Sequence, residues 1–187
     1  MKEQLLEPVL RRLRIKKILP VLLRVPNCHL LDVGCGWEAR FLREVEPYIA
    51  VGVGIDAKAP DMHTPKIHTI RTRLNSDLPF ADASFDVVTM LAVLEHLDQA
   101  EAVVAEVFRI LRPGGVFCGT VPSMLAKPVL EFLAFRLGII NAKEIRDHKQ
   151  YFTRNSLSIF MKECGFTHFK HHYFQFYMNN FFLAQKK

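Results

Sequence analysis

The run Leu30-Leu31-Asp32-Val33-Gly34-Cys35-Gly36 constrains this chain more than any other stretch. An apolar segment ending in Asp-x-Gly-x-Gly predicts a buried strand that turns sharply into a helix. Without Cβ atoms in the way, a ligand can lie against bare amides at the start of that helix. Similar signals follow at strand–helix spacing. Glu38 to Val45 reads as a helix closed by Pro47, Ala50 to Ile55 as a buried strand tipped by Asp56, and Lys66 to Arg71 as a weaker strand. Phe85 to Leu91 is another buried strand. Asp98 is expected to cap a helix through Leu111, with Ala102, Val103, Val107 and Ile110 inward; Pro113-Gly114-Gly115 stops it before a strand at Val116 to Val121.

Repeated strand–helix–strand order predicts a doubly wound α/β fold, a mostly parallel sheet with helices on both faces. Beyond Pro122 the pattern changes. Pro128 to Ile140 is a strongly apolar helix, a polar loop runs through His148, and Asn155 to Cys164 is a helix ended by Gly165. Thr167 to Phe174 and Met178 to Gln185 read as two strands that add an antiparallel C-terminal edge. The 187 residues, half of them hydrophobic, are read as one domain, with residues 122–151 as an insertion on the substrate side that acts as a lid.

Charge is unevenly placed. Of the net +6, residues 1 to 24 supply +5: Lys2, Arg11, Arg12, Arg14, Lys16, Lys17 and Arg24 against Glu3 and Glu7. Leu5, Leu6, Val9, Leu10 and Leu13 repeat at helical spacing, so residues 1–25 are expected to form a basic amphipathic helix that breaks near Pro20. Its cations suit a solvated face or, alternatively, a peripheral membrane contact or an anionic substrate. Nucleic acid is not an expected partner, because no basic motif interleaved with aromatics is present. Scattered Cys28, Cys35, Cys118 and Cys164 read as reduced thiols, and with no signal-peptide plan the expected location is cytoplasmic.

In an open α/β sheet the ligand lies beyond the carboxyl ends of the strands. Those ends hold Asp32, Gly34, Cys35 and Gly36, then Asp56 with Ala57, then Leu91 followed by Glu95 and His96. An acid at the second strand tip, 20 residues past Gly36, is placed to accept hydrogen bonds from both ribose hydroxyls of an adenosine. Gly34 to Ala39 also fits a dinucleotide fingerprint, so an NAD-dependent oxidoreductase is the rival enzyme. Against it, the Asp32 carboxylate would repel a pyrophosphate yet suits an ammonium group. The histidines His168, His171 and His172 are not read as a metal site, because on a strand His171 faces away from the other two.

The sequence resembles the class I S-adenosylmethionine-dependent methyltransferases over roughly residues 28 to 185. The resemblance rests on Leu30 to Gly36, Gly54-Ile55-Asp56, Leu78-Pro79-Phe80 with Ser84 to Val88, Leu94-Glu95-His96-Leu97, and Leu111 to Gly115. It implies S-adenosylmethionine as cofactor, held by Asp32, Gly34, Cys35, Gly36, Asp56, Ala57, Leu74, Asn75 and Leu91. Two positions depart from the family pattern: Glu38 stands where a third glycine is usual, and Arg73 where an acidic residue often precedes Leu74-Asn75. Methyl transfer to a hydroxyl needs alignment and a base, and His96 and His148 are the candidates. The expected acceptor is a small molecule, anionic or lipid- or sugar-linked, and the expected reaction O-methylation. A non-catalytic cofactor-binding scaffold is the third class.

Overall fold

The computed structural model describes residues 7–74, 77–136 and 142–187. Its elements, in order, are α1 (Glu7–Leu22), β1 (His29–Val33), α2 (Arg40–Val45), β2 (Val51–Asp56), β3 (Ile67–Arg71), β4 (Phe85–Leu91), α3 (Ala100–Ile110), β5 (Leu111–Pro122), α4 (Ala126–Phe135), α5 (Ala142–Arg146), α6 (Arg154–Glu163), β6 (His168–Phe174) and β7 (Asn179–Gln185). The strands form one seven-stranded sheet in the order β3-β2-β1-β4-β5-β7-β6. β1 to β5 pair in parallel, and β7 lies antiparallel between β5 and β6. This is the doubly wound sheet with an antiparallel edge that the alternation predicts.

Strand alternation sorts the core into two layers. Leu31, Val33, Val88, Met90 and Phe117 face α3 and α6, meeting Val103, Val107, Leu157 and Met161. Leu30, Val87 and Cys118 face the opposite way, onto Ile18, Val21 and Leu22 of α1 and Phe41, Leu42 and Val45 of α2. On that second face a polar row crosses the sheet, because Asp32 is in register with Thr89, and Thr89 with Cys118.

Several boundaries differ from expectation. Helix α1 runs through Pro20 to Leu22, since burial of Ile18, Val21 and Leu22 outweighs the hydrogen bond the proline cannot make. Its buried face is that later segment; Val9 is 55% exposed, and Leu5 and Leu6 lie outside the described residues. Two of its cations are tied down, Arg11 to Glu44 at 2.6 Å and Arg14 to Glu7 at 2.8 Å, whereas Arg12 and Lys16 are exposed. Asp98 does not cap α3, which starts at Ala100 after Gln99; it pairs instead with Lys149 at 3.3 Å. The polar loop before His148 contains the short helix α5, and the apolar helix expected over Pro128 to Ile140 begins at Ala126 and runs to Phe135, residues 137–140 lying outside the described residues. The turn Arg112 to Gly115 interrupts the pairing of β5, which jumps from Phe85↔Leu111 to Val87↔Val116.

Candidate functional site

The strand order reverses between β1 and β4, and the crevice beyond their carboxyl ends is where such sheets take ligands. Gly34 turns the chain out of β1 at φ +82°; a Cβ there would stand 2.3 Å from the Val93 side chain, so the turn and the segment after β4 close on each other only with glycine. The turn amides are not bare, contrary to expectation. Gly34 and Cys35 both donate to the Ile55 carbonyl, at 2.7 and 3.1 Å, and Gly36 donates to Asp56 Oδ2 at 3.1 Å. Lys58 N donates to the other Asp56 oxygen at 2.7 Å. These bonds fasten the glycine turn onto the tip of β2 and fix the Asp56 carboxylate at the crevice mouth, with Ala57 exposed beside it.

Asp32 lies deeper than a ligand-facing residue was expected to. It is 2% exposed and its carboxylate takes the Thr89 hydroxyl at 2.8 Å. Burial pushes its pKa up to about 7, opposed by the Thr89 hydrogen bond and reinforced by the nearby Asp56. Burial, reinforced by the same two acids, holds the Cys35 thiol protonated. Glu38, in the place of the usual third glycine, pairs with Arg40, whose guanidinium lies 5.9 Å from the Trp37 ring centroid; α2 begins only at Arg40, after Ala39 in the left-handed region at φ 47°.

Beyond Leu91, Ala92 takes a left-handed φ of 57° and a single 3₁₀ turn, Leu94–His96, presents Glu95 and His96. The loop after α5 returns to this turn, with Lys149 N donating to the Glu95 carbonyl at 2.7 Å. It brings His148 against His96, ring centroids 4.7 Å apart and edge to face. The two expected base candidates, far apart in the chain, thus meet. His96 Nδ1 lies 3.3 Å from the Asp147 carbonyl, which can only accept, so that nitrogen carries the proton and Nε2 keeps its lone pair in the neutral ring. His148 Nδ1 lies 3.0 Å from the Tyr151 hydroxyl. Burial, then His96, lower the His148 pKa to about 4, so His148 is neutral near pH 7.

The sequence marks Glu95 as part of the Leu94-Glu95-His96-Leu97 motif and does not predict that its carboxyl is buried. Glu95 is 1% exposed, its Oε2 has no hydrogen-bond partner among the described residues, and burial raises its pKa to about 7 while Arg14 on α1 counteracts. No periodic signal marks that approach of Arg14 to the 3₁₀ turn. Beyond β3, Leu74 packs on the core; Asn75 lies outside the described residues. The next loop is held by Arg109, which donates to the carbonyls of Leu78 at 3.2 Å and Phe80 at 2.9 Å while pairing with Glu106 and Asp82.

The family described as "Methyltransferase domain" matches residues 31–119. A probable S-adenosylmethionine-dependent methyltransferase of Mycolicibacterium smegmatis is 32% identical over 144 residues, covering 70% of this chain and 54% of that protein. A 24-methylenesterol C-methyltransferase of rice, Oryza sativa, is 29% identical over 117 residues, 57% of this chain and 32% of that one. The chain therefore spans about half or less of the length of these relatives. Among solved structures, an S-adenosylmethionine-dependent methyltransferase of Thermotoga maritima superposes with a TM-score of 0.69 at 17% identity, over 96% of this chain and 92% of that one, a likeness of fold. The glycine turn fastened to an acid-tipped second strand, the reversed strand order and the family match over residues 31–119 together support a class I S-adenosylmethionine-dependent methyltransferase domain.

Proposed function

We propose that this domain transfers the methyl group of S-adenosylmethionine to a hydroxyl oxygen of a small, amphiphilic acceptor. The observation that carries the reading is the convergence, at the β1/β4 reversal, of the Gly34–Gly36 turn, the pinned Asp56 carboxylate and the His96–His148–Tyr151 group. The residues fit the cofactor. Asp56 keeps acceptor capacity for ribose hydroxyls after taking two amides, Gly36 has open space where a Cβ would point, and the buried Asp32 carboxylate gains from a nearby ammonium.

When bound, S-adenosylmethionine supplies a methyl group already activated by its sulfonium. The protein's part is alignment and proton removal. His96 Nε2 is the base, its tautomer set by the Asp147 carbonyl; neutral His148 adds no competing positive charge, and Tyr151 orients His148. An amphiphilic acceptor is favoured by apolar side chains left exposed around the insertion, Met124 51%, Leu125 63% and Phe132 54%, and by the sterol named for the rice relative.

Calorimetric titration tests the cofactor. S-adenosylmethionine should bind with NAD showing little affinity, and Asp56→Ala should weaken binding by about 1.5–3 kcal/mol, the scale of hydrogen bonds to a charged partner, while melting is preserved. Tighter binding of NAD, or unchanged affinity in the variant, would reverse the assignment. A second experiment addresses the base. His96→Gln should lower the rate of methyl transfer about 100-fold or more with S-adenosylmethionine affinity unchanged. A variant as fast as wild type would return His96 to a purely structural role.

A further inference from the structure

We infer that the β6–β7 hairpin tip and the β5–α4 turn together form a face that seats on an anionic phospholipid bilayer. The tip holds three successive residues in the left-handed region, Gln175, Phe176 and Tyr177, at φ 52°, 54° and 65°. None is glycine, so each conformation is energetically uphill, and the surrounding structure must hold it. It does so through Met178 N donating to the Gln175 carbonyl at 3.0 Å and Asn179 Nδ2 donating to Gln175 Oε1 at 2.7 Å. What this fixed, strained turn presents is apolar: Phe176 is 99% exposed and Tyr177 62%.

The neighbouring turn is bonded to the tip. Ser123 Oγ donates to the Tyr177 carbonyl at 2.6 Å and Ser123 N to the Met178 carbonyl at 3.0 Å, so Met124 and Leu125 stand beside the tip on one rigid end of the sheet. That end is the carboxyl edge of β5, the edge on which the candidate site opens. Folding leaves large exposed side chains singly scattered in most proteins; a fixed group of them marks an interaction surface.

The charge beside it selects the occupant. Lys17 of α1 lies 5.8 Å from the Phe174 ring centroid, at the root of the hairpin, with Lys16 and Arg12 exposed on the same helix. Aromatic and aliphatic residues that enter the interface, flanked by cations, match an anionic membrane surface. A two-fold contact with a second copy would set these cations against their equivalents. Among the described residues no helix is long and apolar enough to cross a membrane, so the contact is peripheral. It would place the crevice mouth at the interface, and it stands independently of which acceptor is methylated.

The test uses the single tryptophan. In Trp37→Phe protein carrying Phe176→Trp, the emission should shift to the blue on adding phosphatidylcholine vesicles containing phosphatidylglycerol, and brominated acyl chains should quench it. Co-sedimentation should be strong at about 0.1 M salt and weak at about 1 M, as screening shortens. The double variant Phe176→Ser, Tyr177→Ser should lower partitioning about tenfold while keeping the melting temperature and the S-adenosylmethionine affinity. No vesicle binding by wild type, an unquenched indole at position 176, equal binding to neutral vesicles, or a wild-type dimer that the double variant dissolves would each overturn the inference.

Discussion

Gly119→Ala should lower the stability of this protein by at least about 3 kcal/mol. Gly119 sits mid-sheet in β5, in register with Met90 on one side and Phe182 on the other. A Cβ there would stand 2.3 Å from the Met90 carbonyl oxygen and 2.7 Å from Phe182 Cζ. The carbonyl belongs to the parallel ladder and cannot swing aside without breaking it, and Phe182 is fully buried against Phe117, ring centroids 5.1 Å apart. In a domain of this size the loss corresponds to a fall in melting temperature of roughly 10 °C. Gly114→Ala is the matched control. Among the described residues nothing lies within 4 Å of its Cβ, so only its φ of +78° costs, about 1 kcal/mol. Thermal melts of the two variants decide the matter: equal effects would mean that the β4–β5–β7 packing yields, and Gly119 would then be no more than a weak strand former.

The contrast shows which parts of the protein can be read from its chain. Strands announced themselves because buried parallel strands are unbroken apolar runs bounded by glycine, proline or acids, as at Leu30 to Val33 and Phe85 to Leu91. The Asp56 tip was legible for the same reason: a carboxylate closing such a run has nowhere to go but the carboxyl edge. Local chemistry that depends on partners far away was not. The amides of Gly34, Cys35 and Gly36 look free in sequence yet are spent on Ile55 and Asp56. The meeting of His96 with His148 depends on the Lys149–Glu95 backbone bond, which no periodicity encodes. The N-terminus of α6 is a capping box built on Thr153 and Ser156, and a serine at that third position lacks the glutamate that usually flags one. The hairpin tip has left-handed residues but no glycine, so its shape is invisible until Gln175 and Asn179 are seen holding it.

Asp32→Asn should make the cofactor-free protein more stable, and only above the acidic range. The unfolded carboxyl titrates near its ordinary value of 3.8, whereas in the fold burial raises it to about 7. Between those values the native state holds the proton more tightly than the unfolded state does. Raising the pH through this window therefore removes stability, and the loss is complete above the folded value. At 1.36 kcal/mol per unit the ceiling is about 4 kcal/mol, and relaxation around a buried carboxylate makes about 2 kcal/mol the expected gain for the amide at pH 8. At pH 4 most of the gain should vanish, because the folded carboxyl is then protonated and the unfolded one, near its ordinary 3.8, partly so; the amide oxygen still accepts from Thr89. Glu95, raised in the same direction to about 7, stays as a common background in both proteins. Saturating S-adenosylmethionine should reverse the order, since its ammonium stabilises the carboxylate and not the amide, so that ligand-induced stabilisation is larger in the wild type. Melts of the two proteins at the two pH values, with and without S-adenosylmethionine, separate the contributions. A gain that is the same at pH 4 and pH 8 would place the effect in packing, and equal ligand-induced stabilisation would remove Asp32 from cofactor recognition, leaving it as the hydrogen-bond partner that fixes Thr89 in the polar row beneath the glycine turn.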